Sequence, residues 1–85
     1  MSQDICIVGI MVDHRATRGP EVQEVLTRYG DSILSRSGIP DPTKGRGIIS
    51  LTMQVDENGR KSLEKDLHDV PGVSVNSMIL GPVLQ

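Results

Sequence analysis

The feature that most constrains the fold is an eight-residue apolar run, ICIVGIMV, which spans Ile5–Val12 and lies between Asp4 and Asp13. Its length and its β-branched residues predict a strand. Side chains alternate between the two faces of a strand, and here both faces are apolar. Because a strand of this kind is normally covered on both sides, we expect it to lie in the centre of a sheet.

A helix is predicted after the loop that follows this strand. Gly19-Pro20 is expected to open the helix, because proline is favoured at the first helical position. Gly30 is expected to end it as a left-handed cap. Between these positions apolar residues recur at helical spacing, which predicts one buried stripe made of Val22, Val25, Leu26 and Tyr29.

Two strands joined by a loop are predicted next. The first covers Asp31–Ile39, and Arg36 and the following Pro40 are typical of a protected sheet edge. The segment Gly38–Gly47 is rich in glycine and proline, so it is expected to form a hairpin loop. The second strand, Ile48–Val55, alternates apolar and polar residues, which predicts that one of its faces lies in the core.

A second helix and a last strand complete the chain. The turn Asp56–Gly59 is expected to start the helix, and Pro71-Gly72 to end it. The strand is predicted over Val73–Leu80. The inner face of the helix is predicted to be lined by Leu63, Leu67 and Val70.

The resulting order, β-α-β-β-α-β, predicts an α+β fold in which residues 1–85 form a single domain. Its usual arrangement is a ferredoxin-like sandwich, with an antiparallel four-stranded sheet of order 4-1-3-2 and two helices on one face. The other face then exposes apolar side chains of the first strand, with Ile48 beside them. Since so short a domain buries little core, we expect a second copy to cover this face in a dimer or tetramer.

The composition argues against several classes of partner. A net charge of −2 and a single aromatic residue disfavour nucleic-acid binding, which uses basic surface and aromatic stacking. The longest apolar run is far shorter than the ~20 residues that span a bilayer, so no membrane association is expected. One cysteine cannot form an internal disulfide, which favours the cytoplasm.

No group of residues indicates a reaction or a bound cofactor. A metal site needs three or four converging ligands, and Cys6, His14 and His68 show no ligand-type spacing, so no metal is expected. Neither histidine is placed to activate a serine or a threonine. An acylphosphatase-like hydrolase would need an asparagine that positions water, and Asn58 and Asn76 are poorly placed for that. The chain is therefore predicted not to be an enzyme.

The loop after the first strand, VDHRATRGPEV, allows two interpretations. Arg15 and Arg18 beside the N-terminus of a helix could hold an anion through charge-assisted hydrogen bonds. Alternatively, both arginines are solvated turn residues, and Pro20 weakens the anion site because it lacks an N–H. The residues alone leave both interpretations open.

A family resemblance adds to this picture. The segment VDHRATRGPEVQEVLTRYGDSIL resembles the opening of ACT domains, and Asp4–Leu80 as a whole is similar to a small ACT-like family of iron-only hydrogenase system regulators. The further matching segments are YGDSILSRSGIP, the hairpin, GIISLTMQVD and PGVSVNSMIL. The resemblance implies an effector domain that oligomerises through its sheet and holds a small ligand, often an amino acid in ACT relatives, at the first loop and subunit interface. Carried over to this chain, the implied ligand-binding residues are Asp13, His14, Arg15, Arg18 and Gly19.

That family also resembles the C-terminal domain of the nickel-responsive repressor, from which this chain departs. The hairpin strands ILSRSGIP and RGIISL contain neither histidine nor cysteine, and no ribbon-helix-helix segment is seen. Nickel sensing and direct DNA binding are therefore not expected. The leading hypothesis is a non-enzymatic regulatory domain that self-associates and takes a small-molecule effector. The alternatives are a metal-responsive sensor module and a partner-binding oligomerisation domain.

Overall fold

A computed structural model describes residues 3–13, 15–41 and 45–83 of the chain. The four strands are β1 (Asp4–Val12), β2 (Ile33–Asp41), β3 (Arg46–Val55) and β4 (Val73–Pro82). They form one antiparallel sheet of order β2-β3-β1-β4, which confirms the predicted ferredoxin-like arrangement. Within the described ranges, no helix has the length and apolar character that crossing a bilayer requires. Helix α1 (Arg15–Arg28) and a 3-10 turn (Gly30–Ser32) connect β1 to β2, and helix α2 (Glu57–His68) connects β3 to β4.

The core lies between the two helices and one face of the sheet. Strand β1 is central, as its two apolar faces predicted, and its helix-facing residues are completely buried. The alternating residues of β3 and the predicted stripe of α2 are buried as well. Helix α2 ends at His68, before the predicted Pro71-Gly72, so Val70 is buried from the turn that follows it. The core residues contributed by β1, β3, α2 and this turn are Cys6, Val8, Ile10, Val12, Ile49, Leu51, Met53, Val55, Leu63, Leu67 and Val70.

Helix α1 begins earlier than the sequence predicts. It starts at Arg15, so Gly19 and Pro20 lie inside it and do not open it. Proline at the first helical position costs no hydrogen bond, and because of this preference the sequence predicts that the helix starts at Gly19-Pro20. At its actual position Pro20 has no N–H to donate to the carbonyl of Ala16, so the helix lacks that bond. The free backbone N–H groups of the first turn consequently belong to residues 15–18.

The predicted left-handed cap at Gly30 is also wrong. Helix α1 ends at Arg28, and Tyr29 leaves it with φ −108° and ψ 15°. Gly30 starts the 3-10 turn and is not among the glycines with positive φ. A tighter helical turn therefore joins α1 to β2, which shifts the start of β2 from the predicted Asp31 to Ile33.

The hairpin between β2 and β3 is longer than expected, and its loop is shorter. Pairing continues past the predicted end of the strand, with Pro40 opposite Gly47 and Asp41 opposite Arg46. The interpretation of the whole of Gly38–Gly47 as loop is therefore wrong. Proline is tolerated because β2 is an edge strand, where a missing N–H need not remove a ladder hydrogen bond.

Helix α2 begins as the sequence predicts. Asp56 is the N-cap, and its carboxylate accepts a hydrogen bond of 2.7 Å from the backbone N–H of Gly59. Gly59 also lies against the end of β3, because a Cβ built on it would come within 2.5 Å of Val55 Cγ2. The first turn of α2 is therefore packed on the sheet at a distance that only glycine permits.

Candidate functional site

The predicted ligand residues that the structure describes lie directly after β1 and in the first half of α1. Asp13 follows β1, and its backbone N–H donates a hydrogen bond of 2.8 Å to the carbonyl of Gly72. That glycine has φ 81°, a conformation that L-residues rarely adopt. Arg15 begins α1, and His14 lies outside the described residues. The structure thus ties the start of the predicted loop to the turn that precedes β4.

Arg18 lies within helix α1 and contacts an acidic neighbour. Its Nη1 lies 3.1 Å from Oε1 of Glu21, one turn further along the helix, and both side chains are partly exposed. An exposed ion pair of this kind contributes little to stability. It nevertheless neutralises part of the charge that Arg18 would offer to an anion. The structure therefore gives Arg18 an internal partner that the sequence analysis did not foresee.

A cleft of about 280 Å³ lies between α1 and the β2–β3 hairpin, and we call it the α1–hairpin cleft. Gly19 is the predicted site residue that lines it, whereas Asp13 and Arg18 lie outside its lining. The volume lies just below the roughly 300–1,000 Å³ of typical ligand pockets, so the cleft suits only a small organic molecule. Its principal wall residues are Gly19, Val22 and Gln23 of α1 and Gly38, Gly47 and Ile49 of the hairpin.

Glycines keep the α1–hairpin cleft open. A Cβ added at Gly19 or at Gly38 would meet no atom within 4 Å, so each position faces empty space. Neither residue has a positive φ, and the backbone at both positions would therefore accept a side chain. The two glycines belong to different elements and lie 19 positions apart in the sequence. Their shared effect on one cavity is visible only in the folded chain.

One polar pair lies at the rim of the cleft. Nη2 of Arg36, on β2, donates a hydrogen bond of 2.6 Å to Oε1 of Gln23, which lines the cleft from α1. Both side chains are exposed, so the guanidinium and the amide can also contact a bound molecule. From the sequence, Arg36 is expected only to protect a sheet edge, and no local pattern links it to Gln23.

The sheet face opposite the helices carries a row of exposed apolar side chains. Met11 on β1 pairs with Ile48 on β3, and Ile48 pairs with Ile39 on β2, so the three lie side by side across the strands. The exposed fraction is 36% for Met11, 38% for Ile48 and 61% for Ile39. We call these three residues the outer row. Two of them, Ile39 and Ile48, also line the α1–hairpin cleft, so the cleft and the outer row adjoin.

The remaining reactive groups are poorly placed for chemistry. The Cys6 thiol is fully buried in the core, and burial raises its pKa, which favours the less reactive protonated form. Tyr29 Oη donates a hydrogen bond of 2.6 Å to Oδ2 of Asp66, and partial burial together with this bond raises the pKa of the phenol. Among the residues that the structure describes, no three histidine, cysteine or acidic side chains converge as a metal site would require.

Comparison with known proteins identifies similar chains. A family model described as "Iron-only hydrogenase system regulator, putative" matches residues 4–77. The chain is similar to the uncharacterized protein TM1266 from Thermotoga maritima, with 28% identity and a TM-score of 0.88 over 92% of this chain and 98% of that one. A search of curated proteins finds no match.

More distant structures share the fold alone. The nitrogen regulatory PII-like protein CPII from Thiomonas intermedia K12, in its apo form, is 12% identical, with a TM-score of 0.55 over 91% of each chain. A formyltetrahydrofolate deformylase from Pseudomonas putida KT2440 is 18% identical, with a TM-score of 0.63 over 88% of this chain. The match covers only 28% of the deformylase, so it concerns one part of a larger protein.

Proposed function

The chain belongs to the iron-only hydrogenase system regulator family, and we propose that it acts there as a non-enzymatic ACT-like regulatory domain. In this proposal the domain self-associates through the outer face of its sheet and binds a small-molecule effector beside helix α1. The family description and the fold support a regulatory role. Self-association is inferred from the outer row, and effector binding is inferred from the α1–hairpin cleft.

The outer row carries this proposal. Ile48 lies between Met11 and Ile39 and is the cross-strand partner of both, on a sheet face that no described helix covers. Burial of apolar side chains contributes about 25 cal/mol for each Å² removed from water. A second copy would bring an identical row, and two-fold symmetry lets one apolar patch cover another. Self-association through this face is therefore favoured.

The effector is proposed to bind in the α1–hairpin cleft. Its lining is largely apolar, and the Gln23–Arg36 pair at its rim offers one hydrogen-bonding and one cationic group. This combination suits a small molecule with an aliphatic part and a carboxylate, such as an amino acid. The alternative position for the same effector is the one that the family resemblance implies, at Asp13, His14, Arg15 and Arg18.

Association is tested by sedimentation at micromolar concentration. We expect Ile48→Lys to lower the molar mass, because it places a charge in the centre of the outer row. Ser62→Lys is the matched control, since Ser62 is exposed on helix α2 and gains the same charge. A wild-type protein that sediments as a 9.2 kDa monomer would refute self-association.

Effector binding is tested by thermal shift against amino acids and small anions. Gly38→Val places its Cβ in open space, so it should narrow the cleft and abolish the response to a hit that binds there, whereas Gly30→Val, whose Cβ is also in open space, should preserve the response. Arg18→Ala distinguishes the two positions, because it should abolish binding only if the effector lies at the loop. A response that survives both Gly38→Val and Arg18→Ala would exclude both positions.

A further inference from the structure

The sulfur of Met11, in the outer row, is contacted by a guanidinium. Nη1 of Arg46, at the start of β3, donates a hydrogen bond of 3.5 Å to Sδ of Met11 on β1. Arg46 is partly buried, whereas Met11 is 36% exposed and therefore open to small reagents in water. Because a thioether is a weak acceptor, this bond orients the methionine side chain more than it stabilises the fold.

Two other methionines lie in different surroundings. Met53 is fully buried in the core. Met78 is opposite Ile7 on the outer face of the sheet and is 60% exposed, and its sulfur has no hydrogen-bond donor among the residues that the structure describes. The three side chains thus offer a reagent one shielded sulfur, one open sulfur and, at Met11, one open sulfur held by a donor.

The contact with Arg46 makes the two lone pairs of the Met11 sulfur different. The hydrogen bond engages one lone pair and leaves the other open. In oxidation by hydrogen peroxide, a sulfur lone pair attacks a peroxide oxygen, the S–O bond forms as the O–O bond breaks, and the departing oxygen takes the proton of the transferred hydroxyl and leaves as water. Sulfur is oxidised and the peroxide is reduced. Since the two lone pairs give opposite configurations at sulfur, the donor selects one sulfoxide epimer.

We propose that Met11 is a modification site at which hydrogen peroxide forms one sulfoxide epimer, with Arg46 as the positioning residue. The product carries a polar S=O group in the outer row, beside its cross-strand partner Ile48. This inference rests on the proposed function in one respect, which is that the outer row holds a second copy. A sulfoxide there weakens the contact, because a polar group is then buried against apolar side chains. The reduced chain associates and the oxidised chain dissociates.

The modification is tested on Ile39→Lys, in which the new charge keeps a second copy away from the outer row. Ile39 pairs with Ile48 and not with Met11, so the contact between Met11 and Arg46 is retained. After limited treatment with hydrogen peroxide, cleavage before aspartate leaves the methionines at positions 11, 53 and 78 on three separate peptides. The two methionine sulfoxide reductases, each of which reduces one epimer, then measure the composition of each sulfoxide.

Met11 should carry one epimer in roughly two- to fivefold excess, which is the preference that one weak hydrogen bond provides. Met78 should carry both epimers in similar amounts, and adding Arg46→Ala should remove the excess at Met11. Met53 should stay unoxidised in every sample, which shows that each variant is folded. Equal epimers at Met11 while Arg46 is present would overturn the role of Arg46. A Met11 that stays reduced while Met78 is oxidised would overturn the modification site.

The effect on association is measured by sedimentation of the wild type and of Met11→Leu, before and after peroxide. Leucine keeps an apolar side chain of similar size and cannot take up oxygen. The dissociation constant of the wild type should rise by about tenfold or more, because the sulfoxide places a polar group in an apolar contact. The dissociation constant of Met11→Leu should not change, although Met78 is oxidised in both proteins. An unchanged wild type with Met11 fully oxidised would refute the switch.

Failure of the switch and failure of the proposed function give different results. If the wild type and Met11→Leu are both monomers before oxidation, self-association through the outer row is refuted, and the switch with it. The epimer ratio is measured on a chain that does not associate, so it decides the modification site in that case as well. If both proteins associate and oxidation affects them equally, self-association is supported and the role of Met11 in controlling it is refuted.

Discussion

The guanidinium of Arg36, on edge strand β2, is joined to the side-chain amide of Gln23, on helix α1, by a hydrogen bond of 2.6 Å. This bond links the hairpin to the helix across the mouth of the α1–hairpin cleft. Because both groups are exposed, the pair is expected to contribute modestly to stability and more to recognition.

Arg36→Ala should therefore lower the free energy of unfolding by about 1 kcal/mol or less, while weakening any carboxylate ligand found for the cleft. Urea denaturation and ligand titration measure the two effects separately. Lys61→Ala is a suitable control, because Lys61 is an exposed cation whose 3.3 Å contact with Glu57 lies away from the cleft. Equal ligand affinity in the wild type and Arg36→Ala would exclude the guanidinium from recognition.

Two helical glycines should respond to alanine in opposite directions. Gly59→Ala places a Cβ against Val55 and should destabilise the protein by about 1–3 kcal/mol through overpacking. Gly19→Ala adds a methyl group in open space within α1 and should stabilise it by about 0.5–1 kcal/mol. The free energies of unfolding of both variants are measured with urea at one fixed protein concentration. If Gly59→Ala is more stable than the wild type, the close packing of α2 on β3 is contradicted.

Because Tyr29 donates a hydrogen bond to Asp66, we expect the free energy of unfolding to fall at alkaline pH. Partial burial and this bond raise the pKa of the phenol above its ordinary value of 10.0, so folding favours the protonated form. The stability that the phenol contributes is complete below about pH 10 and is lost as the pH rises through the folded pKa. Tyr29→Phe should cost about 1 kcal/mol at neutral pH and remove this decline.

Unfolding curves recorded between pH 7 and pH 11 test this expectation. The difference in free energy between the wild type and Tyr29→Phe should shrink towards the alkaline end. A difference that stays constant over the whole range would show that the phenol does not ionise differently in the folded protein.

Cys6 should report opening of the core. Its thiol is fully buried and its pKa is raised by burial, so thiol reagents should label it only when the chain unfolds. The labelling rate should then rise with urea in parallel with the unfolded fraction. Cys6→Ser should destabilise by about 1–3 kcal/mol because it buries a hydroxyl without a partner, and Cys6→Ala should cost less. Fast labelling in native buffer would contradict the buried position.

Local periodicity was sufficient for most of the architecture. The helix-facing side of β1, the alternation in Ile48–Val55 and the stripe of Leu63, Leu67 and Val70 are buried as their periodicity predicted, whereas Met11 on the other face of β1 is 36% exposed. These predictions succeed because helix and strand geometries impose their periods on neighbouring residues. The number and order of such segments then leave few chain topologies, and the ferredoxin-like order is among them.

Predictions that relied on single glycines and prolines were less successful. Pro20 lies inside α1, Gly30 starts a 3-10 turn, and Pro40 is paired within the hairpin. Each of these residues has a statistical preference worth at most a few kcal/mol. Packing of the surrounding segments can outweigh such a preference, and no pattern within a few residues shows when it does.

Residue periodicity thus determined the elements, the order of strands and the central position of β1. Only the tertiary structure revealed the cleft between Gly19 and Gly38, the bond from Arg36 to Gln23, and the contact of Arg46 with Met11. These features join positions that lie far apart in the chain. Their geometry depends on how the hairpin approaches α1 and on where the helices leave the sheet uncovered, which are properties of the packed molecule and of no single segment.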